Sequence, residues 1–436
     1  MEYLQSLLWA AILGLASSLA CIAVRLFFLL LQRLFIGHSG LISDAAAHLP
    51  LWRRALTPPI GALFAMAVIW ATKHFANKRR FEEYVVAVRL NDGQISFGPT
   101  LWRTIASAFS VATGAAIGRE GSMIQFATAV ASYLGQRIKF SRLTLATQVA
   151  CGVASAVATA YQAPLAGVFF ASEIVVGRTT MSEAPLFLVS ALMGSLTCRY
   201  ILGSGPLFAV HVHLGIDVRH ILPALLMAAL IGAFGPAYNW CSVRVLRSTA
   251  KLPLPLFWSG LLVGLLSLHS TEVWGNGDAA LLGIMQVSPA ASTLLPILAL
   301  RLCATAFCVG TGTVGGVFTP TLFTGGAIGL LAVHWLHASD PLLFAIVGMG
   351  CLLAAVTHAP LMATLMTVEL TGQWMLLPLV LLCNAAAWAV AHSISPNSLY
   401  ALATPEPADK LLEPGLRVKE VHKKAISQDP ATAMES

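Results

Sequence analysis

Charge is the first thing this sequence lacks. Of 436 residues, 26 are Lys or Arg and 19 are Asp or Glu, so charged residues make up 10%. An ordinary soluble domain carries about 25%. Hydrophobic residues supply 57% of the chain, and the mean hydropathy is +0.78. That leaves too little polar material to cover a soluble globule of this size. A soluble enzyme, a nucleic-acid binder and a disordered chain are excluded. The formal net charge of +7 does not restore nucleic acid as a partner, because the basic residues are not gathered into a polar domain. An all-helical polytopic membrane protein remains.

Catalytic and metal motifs are also missing. No H-E-x-x-H, G-x-S-x-G or Walker pattern occurs, which argues against a polytopic membrane enzyme and implies no cofactor. The eight cysteines lie in apolar stretches with no C-x-x-C pair, so they read as small buried thiols with neither disulfide framework nor zinc site. His211, His213 and His220 cluster without a carboxylate or Cys at ligand spacing, and no metal site is expected. No Lys or Arg precedes the first apolar run, Tyr3–Val24, which is too long for the hydrophobic core of a signal peptide. A retained first membrane helix is expected there.

What is present is a series of charge-free segments of uneven length. Thr104–Gly118 and Gly121–Gln136 are short, against the roughly 20 apolar residues of a perpendicular span. Leu143–Ser172, Leu302–Ser339 and Pro341–Val368 are long and interrupted by Gly and Pro. This pattern predicts tilted, broken and re-entrant helices. Irregular backbone at membrane depth is tolerated only inside protein or along a watery path, which points to transport. One charged loop holds Lys78, Arg79 and Arg80 with Glu82 and Glu83. A polar tail follows from Asp409. The positive-inside rule puts both on the cytoplasmic side, with both termini, although Arg53 and Arg54 weaken the contrast. We expect one transmembrane domain over 1–403 and a loosely ordered tail over 404–436, too short for a regulatory domain.

An internal repeat organises the domain. Gln162-Ala163-Pro164-Leu165 precedes Glu173, and His358-Ala359-Pro360-Leu361 precedes Glu369 at the same distance. Upstream, Gly118-Arg119-Glu120-Gly121-Ser122 matches Gly316-Val317-Phe318-Thr319-Pro320 at nearly the same offset. The halves run from about 1 to 203 and from about 219 to 403. Glycine-broken apolar segments at corresponding places in two halves are a sequence pointer to a transporter site at the repeat interface.

Each upstream motif has the makings of an anion site. Flanking glycines let the backbone turn and expose its N–H groups. The apolar run that follows reads as a helix, whose N-terminus offers free donors and the positive end of the dipole. Glu120 is the sharp feature, because a carboxylate aimed at such a site can compete with an anion for it. The alternative is a simple Arg119–Glu120 ion pair in a short loop. In the second motif, Gly310 to Gly315 fits G-x-G-x-x-G, but no βαβ pattern surrounds it and no charged residue lies between Arg301 and Asp340. Gly315 and Gly316 are better read as the turn before a second broken helix, with Pro320 in its first turn. Two facing N-termini can bind a dehydrated anion without a full positive charge, so the ion can leave. Gly194 and Ser195 read as small-residue packing positions, and Gly275-Asn276-Gly277-Asp278 as an ordinary turn.

These motifs resemble the CLC family of chloride channels and chloride/proton exchangers, most closely its short bacterial ClcB-type members. Gly118-Arg119-Glu120-Gly121 matches the family's G-R-E-G-P, with Ser122 in place of Pro. Gly316-Val317-Phe318-Thr319-Pro320 matches its G-x-F-x-P, and Ser398-Leu399-Tyr400 its late tyrosine. The resemblance implies an inverted-repeat fold and a homodimer with one anion path per subunit in the bacterial inner membrane. It implies that Glu120 is the gating glutamate, that the Val317 and Phe318 amides bind the central chloride, and that the Tyr400 hydroxyl closes that site from inside. Arg119 and Gly121 would flank the outer positions.

Two departures bear on mechanism. The family's G-S-G-I-P loop is absent, and the corresponding region reads Asn77 to Tyr84. This opens both the inner gate and the choice of anion, with fluoride or nitrate as alternatives. Exchangers usually carry a proton-transfer glutamate just after Glu173, where this chain has Ile174. Glu173 and Glu369 themselves read as structural carboxylates. Ile174 favours channel-like chloride conduction over chloride/proton antiport, which stays the alternative.

Overall fold

The computed structural model describes residues 2–38, 40–75, 81–178, 182–203, 205–209, 215–249, 252–336 and 338–402. The tail expected over 404–436, the basic residues 78–80, and His211 and His213 lie outside the described residues. Among the described residues the chain is helical, and the one β-type contact is a bridge between Gly118 and Gly316. Seven of these helices are long and apolar enough to cross a bilayer, from Tyr3–Ile36 to Trp374–Ile394. Others, such as Pro164–Val176, Asp278–Val287 and Pro341–Thr357, are shorter. At a rise of about 1.5 Å per residue these cannot cross a roughly 30 Å hydrocarbon core. The expected mixture of full spans and partial helices is present.

The first helix differs from the expected segment. It runs Glu2–Ile36 and passes through Arg25 without a break. A lone charge redirects a side chain but leaves the backbone ladder intact. The helix ends where Gly37 adopts φ 91°, with the Gly37 N–H donating to the Arg33 carbonyl. Leu4, Leu8, Leu15 and Leu19 are exposed along it, as on a lipid-facing surface. The cysteine expectation also needs correction. Cys241 and Cys303 are exposed, while the other six are buried. An apolar neighbourhood in a membrane chain can face lipid as well as core, so it does not by itself bury a thiol.

The Ala-Pro repeat acts as a pair of knees. Helix Arg142–Tyr161 stops at Gln162, with φ 56° and ψ 32°, and Ala163 is extended at φ −123° before Pro164 starts the next helix. Helix Pro341–Thr357 stops at His358, with φ 58° and ψ 33°, and Ala359 takes φ −126° before Pro360. Proline bars the residue before it from the α region and suits the first turn of a helix. The same tripeptide logic therefore breaks both long segments in the same way. Small residues then let helices approach closely. Ser18 and Thr159 hydroxyls donate to the Gly194 carbonyl, and a Cβ on Gly194 would lie 2.5 Å from the Ser155 carbonyl oxygen.

Candidate functional site

Two loops meet at the centre of the molecule. In the first half, helix Phe97–Ala112 gives way to a turn at Gly114, and helix Glu120–Ile138 begins. In the second, helix Ala291–Gly310 gives way to a turn at Gly312, and helix Phe318–Leu336 begins. The loops are joined by reciprocal bonds. The Gly118 N–H donates to the Gly316 carbonyl at 2.6 Å, and the Gly316 N–H to the Gly118 carbonyl at 2.7 Å. A Cβ on Gly121 would sit 2.9 Å from both the N and Cα of Gly316, so only glycine allows this approach. Two helix N-termini thus lie side by side, with first-turn N–H groups that no intrahelical carbonyl satisfies. Ser122 uses its hydroxyl to bind the halves together. It donates to Ser107 at 2.6 Å, and Ser107 donates to the Val314 carbonyl at 2.6 Å.

Glu120 opens the first of these helices and is 4% exposed. Its Oε1 accepts from Asn276 Nδ2 at 2.7 Å. Arg119 Nε stands 3.7 Å from the same oxygen, while Arg119 Nη2 lies 3.6 Å from Asp278. Oε2 is buried and has no hydrogen-bond partner. Arg119, Asn276 and Asp278 line a small cleft of about 20 Å³ on one side. Gly121, Ser122, Val317, Phe318 and Tyr400 line a cavity of about 310 Å³ on the other. The chain neighbours of Glu120 thus line the two spaces, Arg119 the cleft and Gly121 the cavity.

The far end of the cavity is aromatic. The Phe318 ring packs on Tyr161 at 5.1 Å and on Phe170 at 6.3 Å, and Tyr400 meets Phe170 edge-on at 6.3 Å. Tyr400, in the short helix Leu399–Leu402, pairs its hydroxyl with that of Tyr84. The Tyr84 N–H donates to Gln125 Oε1 at 3.0 Å, and Gln125 Nε2 donates to the Glu82 carbonyl at 2.9 Å. Gln125 belongs to the helix that Glu120 opens. Glu83 and Arg103 also line the cavity, and the Arg103 guanidinium lies 4.1 Å from the Phe81 ring centre.

Relatives of this chain are found by sequence and by structure. The Voltage gated chloride channel family matches residues 61–392. A Voltage-gated ClC-type chloride channel ClcB of Citrobacter koseri is 36% identical over 416 residues, covering 92% of this chain and 99% of that protein. The protein of the same name in Escherichia coli is 36% identical over 410 residues, covering 91% and 98%. This chain belongs to the voltage-gated chloride channel, or CLC, family. Solved structures give the same fold. A slow cyanobacterial Cl⁻/H⁺ antiporter superposes with a TM-score of 0.81 at 23% identity, covering 93% of this chain and 98% of the other. A CLC-type fluoride/proton antiporter reaches 0.76 at 20% identity, covering 92% and 98%.

Within this CLC chain, the two repeat carboxylates bond to backbone across the halves. Glu173 Oε2 accepts from the Met362 N–H at 2.7 Å and Oε1 from Leu361 at 3.4 Å. Glu369 Oε2 accepts from the Ala166 N–H at 2.8 Å and Oε1 from Leu165 at 3.1 Å. Each thus caps the Pro-started helix of the other half. Ile174 is buried, and its carbonyl accepts from Arg89 Nη2 at 2.7 Å. His220 bonds to Ser339 at 3.0 Å and lies 2.9 Å from Asp340. Sequence reasoning missed Tyr84, Asn276 and Asp278. Their one local signal was polarity next to apolar stretches, and the Gly275–Asp278 segment read as a turn that any loop could contain. It is a turn, with Gly275 at φ 71° and Gly277 at φ 95°, but one that reaches Glu120.

Proposed function

We propose that this chain carries chloride across the bacterial inner membrane, as a homodimer embedded in lipid with a separate anion path in each subunit and both termini in the cytoplasm. Halves of about 1–203 and 219–403 build one transmembrane domain. Chloride is held by the Val317 and Phe318 amides and by the Tyr400 hydroxyl. Glu120 is the gate, flanked by Arg119 and Gly121. Gly118, Gly315 and Gly316 bring the loops close enough to form the site, and Glu173 and Glu369 act structurally. The Tyr84 hydroxyl stands beside that of Tyr400 and closes the inner end in the absence of a G-S-G-I-P serine. The single observation that carries this reading is the buried Glu120 carboxyl where two helix N-termini meet, with its neighbour Arg119 lining a small cleft and its neighbour Gly121 lining the larger cavity. A carboxylate there occupies the environment an anion would need, and protonation removes its claim to it.

Channel-like conduction is the preferred mode, because the apolar Ile174 neither donates nor accepts a proton through its side chain. One observation favours the second reading, chloride/proton antiport. Glu83 is a carboxyl lining the same cavity as Phe318 and Tyr400, and could serve as a proton station where Ile174 cannot. The test is to reconstitute the protein in chloride-loaded vesicles and record chloride efflux and external pH together. Efflux without proton movement supports the channel. Protons driven uphill by the chloride gradient establish the antiporter. Vesicles that release fluoride or nitrate and retain chloride would change the substrate.

A further inference from the structure

The Glu120 carboxyl sits on the first half of the chain, but its hydrogen-bonding partner is on the second. Asn276 is 4% exposed and points Nδ2 at Glu120 Oε1, 2.7 Å away. The orientation of its amide is fixed by the network, because its Oδ1 accepts from the Asp278 N–H at 3.3 Å. The turn that carries Asn276 is itself clamped. The buried Arg301 donates to the Glu272 carbonyl, to Trp274 at 3.5 Å and to Gly275 at 3.1 Å. The Gly275 N–H donates to the Gly114 carbonyl at 3.1 Å, and a Cβ on Gly114 would lie 2.6 Å from the Trp274 ring. Asn276 is therefore held against the loop that leads into Glu120.

The Glu120 backbone N–H also bonds to its own carboxyl, and the other side chains facing Glu120 act at longer range. They are Arg119 on its own loop, Asp278 across the cleft, Arg25 and Cys21 on helix Glu2–Ile36, and Tyr161 at the end of helix Arg142–Tyr161. Arg119 is divided between Glu120 at 3.7 Å and Asp278 at 3.6 Å, so neither contact is a tight ion pair. Among the described residues, Asn276 is the side chain that donates a hydrogen bond to the Glu120 carboxyl, and Oε2 receives none.

We propose that Asn276 is the latch of the gate: its amide holds the ionised Glu120 carboxyl across the anion path, and so sets the pH at which that path opens. The proposal rests on the reading of Glu120 as the gate. A donor facing a carboxylate forms a charge-assisted bond, stronger than the one it makes to the neutral acid. The latch therefore favours the closed, ionised state. Its removal leaves the carboxyl with its own backbone N–H and a distant, shared arginine, and it takes up a proton and leaves more readily.

The experiment is the pH profile of chloride flux in reconstituted vesicles for wild type, Asn276→Ala, Asn276→Asp, Glu120→Gln and the Asn276→Ala/Glu120→Gln pair. The flux midpoint of Asn276→Ala is expected to move to higher pH by about one to two units. Asn276→Asp keeps the side-chain size and the oxygen that accepts from Asp278, yet sets a carboxylate against Glu120. It is expected to move the midpoint at least as far in the same direction, and it serves if the alanine variant does not fold. The paired variant is expected to match Glu120→Gln. A pH-independent Glu120→Gln beside an unshifted midpoint in both Asn276 variants would overturn the latch and leave the gate standing. A Glu120→Gln variant with wild-type pH dependence would overturn the gate, and the latch with it.

Discussion

The knees at Gln162 and His358 are near copies of each other, whereas the loops at Glu120 and Phe318 are not. At the knees the dihedral angles agree to within a few degrees, and each half sends a carboxylate to cap the other. At the loops the backbones pair symmetrically through Gly118 and Gly316, but the side chains differ. The first loop presents Arg119 and Glu120, and the second presents Val317 and Phe318. The backbone symmetry places two helix N-termini together. Breaking it in the side chains puts one titratable group on one side of the site and leaves uncharged amides on the other. In the proposed function an anion is bound by one half and opposed by the other, which a fully symmetric site could not do.

The largest expected effect comes from the uncharged loop. Phe318→Pro removes the backbone donor and is expected to abolish chloride binding by calorimetry. Phe318→Leu keeps the N–H and much of the packing, so its binding is expected to fall only modestly. Equal affinity of Phe318→Pro and wild type would show that this amide is not part of the site. On the charged loop, Glu120→Gln imitates the protonated form of the proposed gate and is expected to remove most of the pH dependence of flux. If pH dependence survives in this variant, the asymmetry of the loops has no gating role.

The knees provide the control. Glu173→Gln and Glu369→Gln each replace one acceptor oxygen with a donor that faces a backbone N–H. Each is expected to cost about 2 kcal/mol, read as a lower thermal midpoint in detergent, with the pH midpoint of flux unchanged. The two losses should be similar, because the two caps are alike. A large flux defect confined to Glu173 would show that the knees are not equivalent and that Glu173 has a transport role. The smallest effect belongs to Tyr84→Phe, which removes one hydroxyl and keeps the ring. We expect chloride affinity to fall about threefold to tenfold, the equivalent of one ordinary hydrogen bond. No change in affinity or leak would remove Tyr84 from the inner closure and leave Tyr400 alone there.

Much of this arrangement was legible in the residues. Ala-Pro after a long apolar run fixes a helix break, and the breaks occur where those dipeptides stand. Glycine beside Glu120 and before Phe318 announces sharp turns into new helices. The reciprocal capping was half legible, since the equal spacing to Glu173 and Glu369 was visible but not their exchange between halves. The exposure of Cys241 and Cys303 was hidden, because lipid and protein interior select the same apolar residues.

The sequence alone determined where this chain bends, where it crosses a bilayer and which carboxyl stands at the turn. Those properties follow from local sterics, proline and glycine backbone preferences and the cost of exposing charge to lipid. Tertiary structure alone decided which groups meet there. Asn276 reaches Glu120 from 156 positions away, and Tyr84 reaches Tyr400 from near the opposite end of the domain. Such partners are chosen by how the two halves pack, through close approaches such as Gly121 on Gly316 and clamps such as Arg301 on its carbonyls. Local pattern carries no record of that packing, which is why a turn that looked ordinary in sequence lies against the carboxyl at the centre of the site.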